Sequence, residues 1–322
     1  GHRQANAQDL SSIEADIAIA SSEPLAFSTQ GKAEIAKIVP PDLAAFATPT
    51  IAFDVAGRLA ETGEVLEIES ASLESETVAL GLEGRIDIEA ANLEATAKLQ
   101  LREASALKPF IAPAEVGALT IDFSADGPLQ HPTVTMMAEA QSARLPDLTF
   151  SSLRLKGSVL SASPLDAEGA VLSIQAELTG EGARSTVPEL GELLDPALSL
   201  SMAGTYALDT ETLEIAKAKL VNGSLTLEGK GDYVVPQSQG NASITATERD
   251  LSRFSKLAGL ELQGRMSANG DLSLGSDQSL RGPVTLRFDD AKSGVAELDL
   301  LLGGTLDLTG DLDVGPEGAV TV

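Results

Sequence analysis

From Leu66 to Ile88 the chain alternates apolar and charged positions. Leu66, Ile68, Val78, Leu80, Leu82, Ile86 and Ile88 take even numbers, while Glu67, Glu69, Glu83, Arg85, Asp87 and Glu89 take odd ones. A period of two is the signature of a β-strand with one apolar and one charged face. The same pattern returns at Leu225-Thr-Leu227-Glu228 and at Val295-Ala-Glu297-Leu298-Asp299-Leu300-Leu301, and strands are expected at both places. Pro and Gly punctuate the pattern at Asp126-Gly-Pro128, Pro146-Asp147 and Gly282-Pro283, which are expected turns.

The alternation is organised by a recurring phrase. Leu80-Gly-Leu82-Glu-Gly84 is followed by Leu153-Arg-Leu155-Lys-Gly157, Leu225-Thr-Leu227-Glu-Gly229 and Leu300-Leu-Leu302-Gly-Gly304. The glycines lie 73, 72 and 75 residues apart (157 − 84, 229 − 157, 304 − 229). A fixed period of this kind marks stacked units that share a core. The closing glycine suits a turn or bend. Upstream of each phrase a second strand runs to a glycine, at Gly57, Gly127, Gly204 and Gly270. Helix-like stretches precede these strands at Asp42–Phe46, Leu107–Phe110, Pro188–Leu193 and Asp250–Leu257. In the last of these Asp250 is placed to cap, and Leu251, Phe254 and Leu257 share a helical face.

The expected fold is therefore all-β. It is an elongated curled sheet, an open solenoid-like groove of about four repeats with short helices between strands. Residues 1–322 form one continuous domain, with leading strands and a tag remnant (Gly1-His2) in 1–30 and units at 31–96, 97–180, 181–243 and 244–322. Some twenty strands at roughly 4.8 Å each would run on the order of 100 Å. With few helices to cover it, the apolar face must roll inward. That face supplies the candidate site: Leu66, Ile68, Val78, Leu80, Leu82, Ile86 and Ile88 in the first unit, and Leu153 and Leu155 in the second. Leu225 and Leu227 follow in the third unit, and Leu298, Leu300 and Leu302 in the fourth. An ordinary sandwich or barrel core would show the same alternation.

Composition narrows the function. Hydrophobic residues make up 43% of the chain, enough for a substantial core, whereas aromatics are 3% and Trp is absent. That scarcity counts against a platform for stacking sugars or single-stranded nucleic acid. A net charge of −26 opposes nucleic acid and anionic headgroups alike. With no Cys, disulfides and thiolate metal sites are excluded. No apolar run is long enough to span a membrane, so any anchor belongs to a parent protein.

Candidate chemistry is sparse. Beyond the tag, His131 is the single His, in a Gln130-His131-Pro132 turn, and it has no partner motif for a catalytic dyad or metal site. Gly180-Glu-Gly182 and Gly229-Lys-Gly231 lack phosphate-loop spacing and read as turns. The Asp307–Asp313 stretch lacks the ligand order of a calcium loop and reads as a solvated strand face and hairpin. No enzyme, cofactor or metal is expected.

The Leu-x-Leu-x-Gly strands, the short leading helices with their Leu/Phe pairs, the acidic balance and the lack of Cys and Trp together resemble the TamB/AsmA-like family. The resemblance runs from about Gly31 to the end of the chain. It implies a periplasmic segment of a Gram-negative envelope bridge, anchored through its parent in the inner membrane. Phospholipid acyl chains would be its cargo along a taco-like groove between inner and outer membrane, and an outer-membrane Omp85-type (TamA-like) barrel its partner. Two other readings stay open. One is a scaffold for outer-membrane protein assembly that pairs by a strand edge; the other is a surface solenoid or adhesin stalk with a closed dry core.

Overall fold

A computed structural model describes residues 12–20, 24–34, 50–102, 112–161, 163–164, 167–302, 304–315 and 320–321. They form two compact units, the first comprising residues 1–146 and 152–160 and the second residues 147–151 and 161–322. The expected helices at Asp42–Phe46 and Leu107–Phe110 lie outside the described residues. The fold is all-β and antiparallel, with a few short helices.

The first unit is a meander. It contains β1 (Ser12–Ala20), β2 (Leu25–Glu34), β3 (Thr50–Leu59), β4 (Val65–Glu74), β5 (Val78–Asp87), β6 (Asn92–Leu101), β7 (Glu115–Pro128), β8 (Thr133–Arg144) and nearly all of β10 (Ser152–Ser161). Each strand pairs with its predecessor, and β10 pairs with β8. The sheet stays open, since β1 pairs with β2 alone among the described strands.

The second unit repeats the plan. β11 (Val171–Glu181) pairs with β13 (Ala197–Ala207), followed in order by β14 (Thr212–Asn222), β15 (Leu225–Val234), β16 (Gln239–Glu248), β17 (Gln263–Leu274), β18 (Leu280–Lys292), β19 (Thr305–Val314) and the two-residue β20 (Val320–Thr321). A small pair of β9 (Leu148–Phe150) and β12 (Arg184–Ser185) sits beside it.

Register confirms the two faces and corrects their bookkeeping. Phe53, Leu73, Leu80, Leu99, Ile121, Ala138 and Leu155 stand opposite one another across the first unit. Leu73 is odd-numbered although Leu66 and Ile68 are even, because a bulge between Ile68 and Ala71 inserts an extra residue in β4. The bulge keeps Leu66, Ile68, Ala71 and Leu73 on one face, where strict alternation would have turned the last two outward. In the second unit the matching row is Leu200, Leu220, Leu227, Ala246, Ala268, Leu286 and Leu308, with a bulge between Ile215 and Ala218 in β14.

These matching bulges belong to a longer repeat than the phrase suggests. β3, β4, β5 and β6 begin 147 residues before β13, β14, β15 and β16 (197 − 50, 212 − 65, 225 − 78, 239 − 92). Close backbone approaches follow the same offset. A Cβ on Gly84 would lie 2.8 Å from the Glu94 carbonyl and 3.0 Å from Ala95 Cα; one on Gly231 would lie 3.0 Å from Ala242 Cα and clash with the Asn241 carbonyl. Gly84 therefore corresponds to Gly231, two residues beyond the Gly229 that closes the third phrase. Gly84, Gly157 and Gly229 all lie inside strands rather than in turns. Gly229-Lys-Gly231 and Gly282-Pro283 are likewise strand residues, in β15 and β18. Side-chain-free positions let neighbouring backbones close up where the sheet bends.

The fourth phrase is not a strand. Ala296–Leu302 is an α-helix, so Leu298, Leu300 and Leu302 are helical residues. The local sequence explains this: after Val295 the segment contains only Ala, Glu, Leu and Asp, with no β-branched residue. Asp299 reaches back to accept from the Ser293 backbone N–H (2.5 Å) and hydroxyl (2.8 Å), which fixes the first turn. Gly304, with φ +111°, then does occupy a bend. The Asp299 carboxyl is held below the ordinary Asp pKa, chiefly by the Ser293 N–H and then by its hydroxyl. A depressed folded-state pKa contributes stability above the unfolded value that is lost as pH falls through the folded one. Acidification below about pH 4 is thus expected to loosen residues 293–302 ahead of the sheet, and Asp299→Ala to do so at neutral pH. Proteolysis of this segment at pH 7 and pH 3 measures both effects.

Other helices meet expectation. Pro188–Leu193 is helical. Asp250 caps the 3-10 turn Leu251–Phe254 by accepting from the Ser252 N–H, and a short helix, Ser255–Ala258, follows. In the second unit the Pro188–Leu193, Leu251–Ala258 and Ala296–Leu302 connections all fall on one edge of the sheet, while the opposite edge has short turns at 208–211, 235–238 and 275–279.

Candidate functional site

The apolar faces are lined but not sealed. In the first unit Leu80 is 37% exposed and Leu82 41%, and Ile86 and Phe123 are exposed to a similar extent. Leu66, Ile68, Val78, Leu153 and Leu155 are half-buried on the same face. Fully buried apolar residues are few among those described; in the first unit they are Leu101, Ala140 and Ala143, toward one end of their strands. A closed sandwich core would bury side chains at the middle of the rows, where these remain open. The apolar face is a surface.

The opposite face carries the charges. Cross-strand pairs run Arg58–Glu69 (2.6 Å), Lys98–Asp122 (3.4 Å) and Arg154–Glu139 (3.2 Å) in the first unit. The second unit has Lys219–Glu228 (2.9 Å) and Arg281–Asp313 (3.2 Å). The hydrogen bond from Lys219 is the main cause that lowers the Glu228 pKa, with the lysine's charge second. These exposed pairs set the register more than the stability.

The second unit has a defined hollow of about 410 Å³ on its apolar face. Its lining includes Leu200, Ile215, Ala218, Leu220, Leu227, Gly229, Gly231, Ala242, Ile244 and Leu272, and Lys219, Glu228 and Lys230 of the other face border it as well. Leu227 is thus a lining residue, with Leu225 half-buried two residues before it on the same face of β15. A hollow of about 820 Å³ in the first unit borders Leu82 and Phe123, but also Lys98 and Asp122 of the other face.

Ile88 and the fourth-unit residues depart from the expected lining. Ile88 lies in the turn after β5, where its N–H donates to the Glu64 carbonyl, so it extends no row. Leu298 is exposed on its helix, and Leu300 is 86% exposed. Leu302 ends that helix, and its side chain lies outside the described set. The fourth unit's lining is instead β19, where Leu306, Leu308 and Leu312 continue rows from β18. The Asp307–Asp313 stretch forms the charged face of this strand, as expected. Rows formed by Leu93, Leu99, Ile121, Ile244 and Leu286 were missed by following the phrase alone; their own alternation, as in Leu93-Glu-Ala-Thr-Ala97-Lys-Leu99, is the signal that finds them.

One corner of the second unit is polar and buried. Glu248 has 0% exposure although its cross-strand neighbours are Leu225 and Met266. Its carboxylate pairs with the Arg253 guanidinium at 3.4 Å and accepts from the Asp250 N–H at 2.8 Å. Arg253 also donates to the Asn222 carbonyl (3.1 Å), the Ser224 hydroxyl (3.1 Å) and the Leu193 carbonyl. Asn222, itself buried, donates to the Asp195 and Ala197 carbonyls at 3.0 Å and accepts from the Asp195 N–H.

His131 lies half-buried in a turn after β7, where its N–H donates to the Pro128 carbonyl. Among the described residues no three His, Cys, Asp or Glu side chains cluster as a metal site. No described helix is long and apolar enough to cross a membrane.

No protein-family model matches the chain, and no curated protein does either. Among solved structures, the crystal structure of Pseudomonas aeruginosa OccK11 (OpdR) is similar at a TM-score of 0.19 and 9% identity, over 96% of this chain and 90% of that one. A likeness that slight bears on neither fold nor function.

Proposed function

We propose that the open apolar faces hold phospholipid acyl chains, and that the chain is a periplasmic segment of an envelope bridge resembling the TamB/AsmA-like family. The observation that supports this most is the exposure of Leu80, Leu82, Ile86 and Phe123 in the middle of unbroken apolar rows. Each CH₂ withdrawn from water against such a lining gains about 0.8 kcal/mol, with no polar contact required. Rows of Leu, Ile, Val and Ala repeated strand after strand offer similar affinity along their length, as a conduit needs. Large exposed apolar patches also mark interaction surfaces, so assembly scaffolding through the edge of β1, where Ile17 is 73% exposed, is the second reading.

The two readings separate in one experiment. Photocrosslinkers at Leu80, Leu155 and Leu227, with mass spectrometry of organic extracts from the purified protein, are expected to capture phospholipid at all three positions. Extracts free of lipid, with crosslinks only to protein, would sink the conduit and favour the scaffold.

A further inference from the structure

The 147-residue repeat places Glu248 at the position of Leu101 in the first unit, and Asn222 at that of Ser75 (248 − 101, 222 − 75). Leu101 is buried and continues an apolar row between Val78 and Leu119. The Ser75 hydroxyl bonds locally, accepting from the Val78 N–H at 3.0 Å, while the Ser75 carbonyl accepts from the exposed Arg102 guanidinium at 3.2 Å. The same sheet corner is therefore built once from a leucine and once around a buried carboxylate. Closure of the sheet does not demand a buried ion pair; the pair beside Leu101, Arg102–Glu74 at 2.7 Å, is exposed.

What the ion pair adds is a reach across the chain. Arg253 leaves the Leu251–Phe254 turn to meet Glu248 of β16, the Asn222–Ser224 hairpin and Leu193 at the end of the Pro188–Leu193 helix. Asn222 in turn holds the Asp195 N–H. Two connections 60 residues apart in sequence are thus joined through a single guanidinium. A buried ion pair contributes little net stability compared with an apolar replacement, but breaking it from one side leaves an uncompensated charge.

From this geometry we infer that Arg253 is a fastener that closes the 188–196 and 249–262 connections together onto one edge of the second unit. Its release uncovers Glu248 between Leu225 and Met266 and opens the apolar face laterally at this end of the strands. The lateral opening rests on the acyl-chain reading of the face; the fastening does not.

Hydrogen exchange on the full chain tests it. In Arg253→Met the amides of Gly191, Asp195, Gly259 and Leu260 are expected to lose protection together, by a hundredfold or more, while amides inside β15 and β17 change less than threefold. The double variant Glu248→Leu/Arg253→Met, which removes the uncompensated carboxylate, is expected to stay unprotected at these four amides, because no guanidinium then joins the two connections. Loss spread through the sheet would make the pair a core brace and overturn the proposal. So would loss confined to 249–262, or a double variant that regains the protection of the parent chain. None of these readouts involves lipid. A fastener that behaves as stated in a protein that captures no lipid sinks the acyl-chain reading alone, and the converse sinks the fastener alone.

Discussion

Leu82→Asp is expected to leave the protein folded while cutting acyl-chain capture in the first unit by a hundredfold or more. Leu82 lies 41% exposed in the Val55–Ala71–Leu82–Ala97–Phe123 row. On an empty face the new carboxylate stays hydrated, so stability shifts by only about 1 kcal/mol, the ordinary cost of Asp in a strand. Once a chain lies across the row, that carboxylate is desolvated without a partner, at a cost of several kcal/mol. Leu227→Asp should act likewise in the second unit, where Leu227 borders the hollow. Glu83→Gln and Glu228→Gln, one residue away on the charged face, should capture lipid normally; there Glu83 accepts from the Thr96 hydroxyl and Glu228 pairs with Lys219. The measurement is crosslinked lipid per protein, with circular dichroism as the folding control. Equal capture by all four variants would show that the lipid face has been assigned to the wrong side of the sheet.

The contrast between neighbouring positions rests on features that were legible in the sequence to different depths. Alternation alone identified the strands and the inward residues of β5, β10 and β15, because each of these strands runs without interruption through its apolar positions. It failed at β4. There the extra residue of a bulge moves Ala71 and Leu73 onto the apolar face, and nothing in Glu69-Ser70 announces it. The segment Val295–Leu301 failed for the opposite reason. Leu and Asp at alternating positions satisfy a strand template, but helix propensity and the Asp299–Ser293 hydrogen bonds decide the outcome locally.

The repeat itself shows what a phrase can and cannot specify. Leu-x-Leu-x-Gly marks a β-strand whose leucines and glycine point the same way, so it matches at more than one register of a strand rich in both. In β15 it matched Leu225-Thr-Leu227-Glu-Gly229, whereas the bulges and backbone contacts align Leu80 with Leu227. The Glu248–Arg253 corner was not legible at all. Its meaning comes from comparison with Leu101, and that equivalence exists only once the 147-residue offset is known.

That offset separates two glycines that the sequence treats as alike, and the separation carries a large expected effect. Gly231 repeats Gly84: a Cβ there would stand 3.0 Å from Ala242 Cα and clash with the Asn241 carbonyl, both backbone atoms of the paired strand. Gly231→Ala must push β16 away from β15, and should cost about 2–4 kcal/mol, a drop of roughly 5–15 °C in the second unit's unfolding midpoint. At Gly229 a Cβ would meet only the Ser243 carbonyl at 3.4 Å and the Ile244 side chain at 3.8 Å. Gly229→Leu therefore should fold with a change within about 1 kcal/mol, since neither the backbone nor a neighbour requires glycine there. Its side chain would instead project into the 410 Å³ hollow. Lipid captured from Leu227 should fall at least tenfold, while capture from Leu80 in the first unit stays unchanged. Thermal unfolding followed beside site-resolved crosslinking reads both variants. A Gly229→Leu protein that melts as early as Gly231→Ala would mean that this face is packed by the protein itself, with no room kept for a guest.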